Sequence, residues 1–362
     1  MSQSLLWDDV RPGASNTPLL CEGLPGVHGE LLAQPEDFEV EELLPYEPTG
    51  EGSHYFVQVR KRALSTVDAA SLLSGAARIS AREIGFAGRK DVQAVATQWF
   101  SLPVPPVTPS SDLLEILQVS RHPKKLKNGH VRANRFKIRI RNVHPDAETR
   151  LVALLDKLAN GHPNYFGCQR FGRDGKNLVN VLRWLNRGCP RIKNARFLVS
   201  ALQSAIFNAW LGERLRLEGL ERAVAGDVLK KRATGGLFQC DEVAVDSHRL
   251  LEGELDVCGP LFGPKMKPAL HIADDREAAW VARLALSESS RKVLAKFGAG
   301  GRRPSRVCAT DLSYERQGNH LDFRFTLPSG AYATVFLAEI MQPESGWVER
   351  RHVAAALTRS TH

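Results

Sequence analysis

No run of apolar residues in the 362-residue chain approaches the length of about 18 that a membrane-spanning helix needs. The opening residues, Met1-Ser2-Gln3-Ser4-Leu5-Leu6-Trp7-Asp8-Asp9, carry neither a basic stretch nor a long apolar one, so no secretory leader is expected. The six cysteines (Cys21, Cys168, Cys189, Cys240, Cys258, Cys308) include no C-x-x-C pair. A chain of this size builds a core without disulfides, so reduced thiols in a cytoplasmic protein are expected. H-E-x-x-H is absent, and His28-Gly29-Glu30 lacks the P-C-x-x-C half of a zinc deaminase, so no metal is expected. The glycines and arginines of 298–305 lack G-K-[ST] at Walker spacing, and G-x-S-x-G is nowhere. NTPase and serine hydrolase chemistry therefore find no support. Fixed-period repeats and low-complexity segments are missing too.

What is present begins with charge. Lys and Arg number 49 and Asp and Glu 40, a net of +9. Segment 121–141 holds nine of those cations (Arg121, Lys124, Lys125, Lys127, Arg132, Arg135, Lys137, Arg139, Arg141) and no acid. Without it the chain has 40 bases against 40 acids. So concentrated an excess is the footprint of a polyanionic partner or a solvated basic loop.

The composition, 43% hydrophobic and 25% charged, is globular, and the length suits two domains or one large domain with an insertion. Phe38-Glu39-Val40-Glu41 alternates as a half-buried strand does, and 54–60 reads as a second strand. Thr66 is placed to cap a helix reaching about 78, with Leu72, Leu73 and Ala76 inward. Segment 84–91 reads as a short strand entering a glycine loop, and a further strand runs through Trp99 and Phe100 before a proline-marked loop. In 136–141 the alternation sends Phe136, Ile138 and Ile140 to the core and Lys137, Arg139 and Arg141 outward. A helix is expected over 148–160, stopped by Gly161. From 161 to 306 the character changes: helices over 198–217 and 276–297, a strand near Val243-Ala244-Val245, and a hinge over 298–304. Strand alternation then returns at Leu321, Phe323, Phe325 and Leu327, which suggests a sheet domain interrupted by an insertion.

Two stretches carry chemistry. Asp91 ends Gly88-Arg89-Lys90-Asp91, whose cations favour an ionised carboxylate able to act as nucleophile or base; the other reading is a solvated turn with an ion pair. Segment 162–172, with Tyr165, Phe166, Arg170 and Phe171 among its glycines, suits base stacking, phosphate binding or a packed domain junction.

The chain resembles the tRNA pseudouridine synthase D (TruD) family nearly end to end. Pro35-Glu36-Asp37-Phe38-Glu39-Val40-Glu41 resembles the first motif of that family, Phe86-Ala87-Gly88-Arg89-Lys90-Asp91 its catalytic motif, and Asn134-Arg135-Phe136 its N-x-F motif. Residues 163–172 resemble N-Y-F-G-x-Q-R-F-G, and Ser204-Ala205-Ile206-Phe207-Asn208 resembles the helix after it. Leu327-Pro328-Ser329-Gly330-Ala331-Tyr332-Ala333-Thr334 resembles the closing motif.

The resemblance implies an α/β fold of α+β type. Its catalytic domain, with a mixed and largely antiparallel central sheet, would cover 1–160 and 307–362, and a family-specific α/β insertion would cover 161–306. It implies an isomerase that converts uridine to pseudouridine at position 13 of tRNA, without cofactor or metal, as a cytoplasmic monomer with no membrane partner. The nucleophile would be Asp91. Phe38 and Tyr332 would stack on or wall the flipped uracil, Asn134 would hydrogen-bond to it, and Phe136 would stand beside Asp91, although the strand reading puts Phe136 in the core. Lys124, Lys125, Lys127, Arg132, Lys137 and Arg139 are the expected phosphate contacts. Two positions depart from the family pattern: Leu32 and Ala338 stand where it usually has basic residues, which leaves open what neutralises charge developing on the uracil. The rival readings are an RNA-binding or assembly protein without catalysis, and a synthase acting on mRNA or rRNA.

Overall fold

The structure, a computed structural model, describes residues 17–31, 34–172, 175–284 and 286–343. In chain order it forms β1 (Glu30–Leu31), β2 (Phe38–Leu43), β3 (His54–Arg62), α1 (Thr66–Ala76), β4 (Gly85–Phe86), β5 (Val95–Leu102), β6 (Leu114–His122), β7 (Ala133–Arg141) and α2 (Ala147–Lys157). There follow β8 (His162–Pro163), α3 (Lys176–Asn186), α4 (Ala195–Leu217), β9 (Val228–Lys231), β10 (Leu237–Gln239), α5 (Val243–Leu251) and β11 (Leu255–Leu261). The chain continues through α6 (His271–Arg283), α7 (Glu288–Phe297), β12 (Gly301–Pro304), β13 (Arg306–Val307), β14 (Thr310–Gln317), β15 (His320–Pro328) and α8 (Ala333–Met341). Leu32 and the opening residues 1–9 lie outside the described residues. Among the described residues no helix is long and apolar enough to cross a membrane. None of the six cysteines is joined in a disulfide.

Two compact units divide the chain. The first comprises Val27–Glu148 and Ala309–Gly330. Its sheet runs β14-β15-β7-β2-β5-β3-β6, with β1 added on β7 and β4 on β5. Only the β2–β5 pairing is parallel; every other neighbour is antiparallel. The period-2 pattern sets which side each residue faces: Phe38 and Val40 of β2, Phe136, Ile138 and Ile140 of β7, and Phe323 and Phe325 of β15 are all buried. Over β3 and β5, α1 seats Ala69, Ala70 and Leu73 against Val57, Val59, Phe100 and Leu102. The cap of α1 is Ser65, whose Oγ accepts the Asp68 N–H at 3.0 Å, rather than the expected Thr66.

The second unit gathers Thr149–Cys308 with the described residues before Val27 and after Gly330. Contact density thus divides the chain near Glu148 and Cys308, where the sequence placed its boundaries at 160 and 306. A four-stranded sheet, β10-β9-β11-β12, carries α4 across it. At Gly259 of β11 a Cβ would fall 2.2 Å from the Trp210 ring, so only glycine permits this approach of helix to sheet. Gly300, with φ +79°, likewise brings its backbone against Gly263, where a Cβ would lie 2.6 Å from the Gly263 Cα.

Three expectations fail in this unit. Val243-Ala244-Val245 opens a helix, because Val243 and Leu250 share a face at helical spacing and Ser247 donates back to the Val243 carbonyl at 2.6 Å. Segment 276–297 is two helices: the Ser287 side chain accepts the Ser290 N–H at 3.2 Å and starts α7 afresh. The presumed hinge over 298–304 ends as strand β12, paired antiparallel to β11.

The Glu339 carboxylate of α8, fully buried, accepts the N–H groups of Leu20 and Cys21 at 2.9 Å each and so holds the incoming segment. Burial pushes its pKa up from 4.5 to about 7. The folded state therefore binds the extra proton between those values, and the stability it confers is lost as pH rises through about 7. Wild-type Tm should fall between pH 5 and 7, and Glu339→Gln, which cannot ionise, should flatten that dependence; differential scanning calorimetry across the range checks it.

Candidate active site

On the inner face of β3, Val57 and Val59 are followed at the same spacing by Lys61, a lysine with 0% exposure. On β2, Phe38 and Val40 are followed by Glu42, 1% exposed. Both polar residues take positions where the alternation calls for hydrocarbon, at one end of their strands. Asn134 of β7 stands directly across from Glu42, and Gln98 of β5 directly across from Val59. A buried polar patch is thus written into four adjacent strands, and over it lies the loop that carries Asp91.

Every element beneath grips that loop. Lys90 turns inward: its ammonium pairs with Glu42 at 3.1 Å and donates to Asn134 Oδ1. Its backbone N–H donates to Thr66 Oγ1 at 2.9 Å, and Thr66 Oγ1 donates to Gln98 Oε1 at 3.0 Å. Gln98 Nε2 in turn donates to the Gly88 carbonyl at 2.6 Å. The Lys61 ammonium donates to the carbonyls of Leu64 (2.5 Å) and Asp91 (3.2 Å). Asp91, half-buried, accepts the Gln93 N–H on Oδ1 at 3.1 Å. Burial pushes the Glu42 carboxyl upward despite Lys90, and burial together with the Lys90 charge brings Lys61 down to about 8.

Lys90 also fixes the polarity of Asn134. An ammonium only donates, so Asn134 must turn its carbonyl oxygen to it and keep its NH2 as the outer end. Phe136 lies two residues on, buried, edge-to-face with Phe38 (centroids 5.9 Å) and stacked on Phe325 (5.3 Å). The structure therefore gathers Asn134, Phe136 and Phe38 on one face of the sheet, with Asn134 tied to the Asp91 loop through Lys90. Phe136 sits in the core, as its strand alternation requires.

The basic segment splits in two. Along β7 each outward cation meets an acid across the sheet or beside it: Arg135 with Glu41 (2.9 Å), Lys137 with Glu39 (3.0 Å), Arg139 with Asp322 (2.6 Å) and Arg141 with Asp37 (2.7 Å). In the preceding loop, exposed Lys124, Lys127 and Arg132 have no acidic partner among the described residues, and Lys125 donates to the Arg82 carbonyl at 2.8 Å. This loop is pinned beside the Asp91 loop: the Gly129 N–H donates to the Ala87 carbonyl at 2.8 Å and the Leu126 N–H to Ser101 Oγ at 3.0 Å.

Tyr332 belongs to the second unit. Its ring meets Phe166 edge-to-face at 6.1 Å, and burial raises its phenol pKa against the lowering pull of Arg170 and Arg303. Arg303 lies over the Phe166 ring, 4.0 Å from its centroid, and donates to the Asn164 carbonyl at 3.0 Å. Asn208 of α4 clamps the Phe166 backbone on both sides, accepting its N–H at 2.8 Å and donating to its carbonyl at 2.9 Å. Segment 162–172 is thus a packed element in which Arg170 is held by Ser200 and Ser204. Ala338, within α8, is buried. Among the described residues no three His, Cys, Asp or Glu side chains come together as metal ligands.

Sequence reasoning did not find Lys61, Glu42, Thr66 and Gln98. The available signal was a charged residue closing an apolar alternation, V-x-V-x-K in β3 and F-x-V-x-E in β2.

The family model of tRNA pseudouridine synthase D (TruD) matches residues 15–189 and 190–340. The chain is 40% identical over 348 residues to the tRNA pseudouridine synthase D of an Anaeromyxobacter species, covering 91% of this chain and 97% of that one. It is 39% identical over 341 residues to the Thermus thermophilus protein of the same name, covering 91% and 93%. The crystal structure of a putative tRNA pseudouridine synthase D from Methanosarcina mazei superposes with a TM-score of 0.70 over 91% of this chain and 97% of that one, at 22% identity, and has the same fold.

Thr66→Val keeps the shape of α1 but removes the acceptor for Lys90 and the donor to Gln98. It should cost about 1–3 kcal/mol, since the buried groups it served are left unpaired. Urea unfolding followed by tryptophan fluorescence measures the loss, and a midpoint equal to wild type would show that the loop is held without Thr66.

Proposed function

The chain belongs to the tRNA pseudouridine synthase D family, and from that premise we propose that it isomerises uridine to pseudouridine at position 13 of tRNA, with Asp91 as nucleophile. The observation that carries the reading is the buried network fixing the Gly88-to-Asp91 loop: Lys90, Thr66, Gln98 and Lys61 hold its backbone while the Asp91 carboxylate stays half-buried. Preorganisation of this kind is what a single carboxylate needs to form a bond to carbon at neutral pH.

In the first step an Asp91 carboxylate oxygen bonds to ribose C1′ while the N1–C1′ electron pair leaves with the uracil, or bonds to C6 while the C5=C6 pair moves into the ring. In both routes the carboxylate becomes a neutral ester and the negative charge passes to the pyrimidine. On the second route the N1–C1′ pair then stays on N1 and leaves C1′ as an oxocarbenium ion; on both routes the freed ring turns, C5 bonds to C1′, the carboxylate is released, C5 loses its proton and N1 takes one up. The target base leaves the stack to reach Asp91. The outward NH2 of Asn134 suits a uracil carbonyl, which accepts, and rejects the amino group of cytosine, which donates. Phe38 would wall the base, and Phe136 would support Phe38 from the core.

The substrate would be held by the loop cations Lys124, Lys125, Lys127 and Arg132. Lys137 and Arg139 would join them only by exchanging Glu39 and Asp322 for a phosphate. The exposed loop cations, without acid partners and pinned beside Asp91, suit the phosphates that flank an extruded nucleotide.

Asp91→Asn should abolish pseudouridine formation and leave tRNA affinity within about threefold, because affinity is spread over many phosphates. Asn134→Ala should lower turnover more than affinity. Turnover retained by Asp91→Asn in a tritium-release assay would remove that residue from the chemistry. Replacing Lys124, Lys127 and Arg132 together by alanine should reduce the slope of log affinity against log salt by about 2–3. An unchanged slope in filter binding would place the phosphate contacts elsewhere.

A further inference from the structure

Lys61 occupies an inner-face position that the strand alternation gives to hydrocarbon, and its charge has no carboxylate within ion-pair distance among the described residues. Its ammonium is spent on two neutral carbonyls, one of them that of Asp91 at 3.2 Å. Around it the charged groups are few. Lys90 acts on it as a like charge, Glu42 is the partner of Lys90, and Asp91 follows Lys90 in the chain. Gln98 from β5 and Thr66 from α1 are uncharged. Lys90 and Glu42 pair with each other, Arg89 of the same loop is exposed, and Lys61 is the buried cation whose hydrogen bond reaches the backbone of Asp91.

From this placement we infer that Lys61 is a positioning residue for the reaction, which fixes the Asp91 backbone and supplies the positive charge that balances the negative charge as it passes from Asp91 to the pyrimidine. The inference rests on the reading of Asp91 as nucleophile. When Asp91 becomes an ester, the electron pair of the broken N1–C1′ bond, or of the C5=C6 double bond, resides on the ring, and the buried charge of Lys61 stays in place beneath the loop. A fixed charge in a dry site acts on the transition state without reorganising.

The tests use the full-length protein with tRNA under single-turnover and steady-state conditions. Lys61→Met should lower kcat on the order of 10²-fold with KM for tRNA moved less than about threefold. Wild-type kcat should fall as pH rises through about 8, where Lys61 loses its proton, while Tm holds or rises, because a lysine depressed from 10.5 gives stability that increases with pH across that window. Lys61→Arg, whose charge does not titrate, should retain turnover and keep it level across the same range. A kcat for Lys61→Met within about threefold of wild type, a loss confined to KM, or identical alkaline profiles for wild type and Lys61→Arg would each overturn the inference. Should neither variant fold, the wild type decides alone: kcat falling with Tm steady supports the role, and kcat and Tm falling together overturn it. Asp91→Asn is run alongside. Turnover by that variant defeats the reading of Asp91, whereas its inactivity beside a fully active Lys61→Met defeats only the role of Lys61.

Discussion

The ion pair between Lys90 and Glu42 is the contact on which the rest of the site depends. Both groups lie out of water, and a pair of hydrocarbon side chains would fill the same space at less cost in free energy. What hydrocarbon would not do is choose an orientation. Because Lys90 seeks a carboxylate under the sheet surface, the loop from Gly88 to Asp91 has one place to lie, and its backbone is then caught by Thr66 at Lys90 and by Gln98 at Gly88. The same ammonium turns Asn134 so that its carbonyl faces inward. One buried cation therefore sets both the position of the acid and the polarity of the amide beside it, and removing Glu42 would disturb both at once.

The basic segment shows how poorly a charge count along the chain predicts a binding surface. Nine cations without an acid look like one continuous stripe. In the fold, the strand half is matched by Glu41, Glu39, Asp322 and Asp37, so that face of the sheet is a lattice of opposite charges and is close to neutral. The pairs of Arg135 and Lys137 are exposed and worth little to stability, whereas Arg139 and Arg141 grip Asp322 and the buried Asp37 with two nitrogens each. Apart from Arg121 of β6, which lies over the Tyr55 ring, the segment's cations without an acid partner among the described residues are those of the loop, which Gly129 and Leu126 anchor next to the Asp91 loop.

Much of this fold could be read in advance, because strands that cover a core on one side announce themselves by alternation. The inward placement of Phe136, Ile138 and Ile140 followed from 136–141 alone. The partners of the outward cations did not, since Glu41 and Glu39 lie 94 and 98 residues from Arg135 and Lys137, and Asp322 lies 183 from Arg139. Short patterns failed where they fit two periods: Val243 and Val245 alternate like a strand, yet Val243 with Ser247 and Leu250 makes a helix face. At the site, Asp91 was singled out by the resemblance of its motif, because Gly88-Arg89-Lys90-Asp91 by itself also reads as a solvated turn with an ion pair. The residues holding it were not, because a lysine at the end of V-x-V-x-K reads as the strand emerging into water.

That misreading bears on the chemistry. A lysine at a strand end ordinarily carries its charge outward along a hydrocarbon stem. Lys61 is kept from doing so because β3 lies between β5 and β6 and the chain after it folds back through Leu64 into α1, closing the inner face over its ammonium. The desolvation that follows lowers its proton affinity and leaves it charged at neutral pH only by a narrow margin. A charge held so close to losing its proton is poorly suited to holding a fold together. It is well suited to a site in which one negative charge must be present before, during and after a bond changes hands, and in which the surrounding groups must stay still while that charge moves.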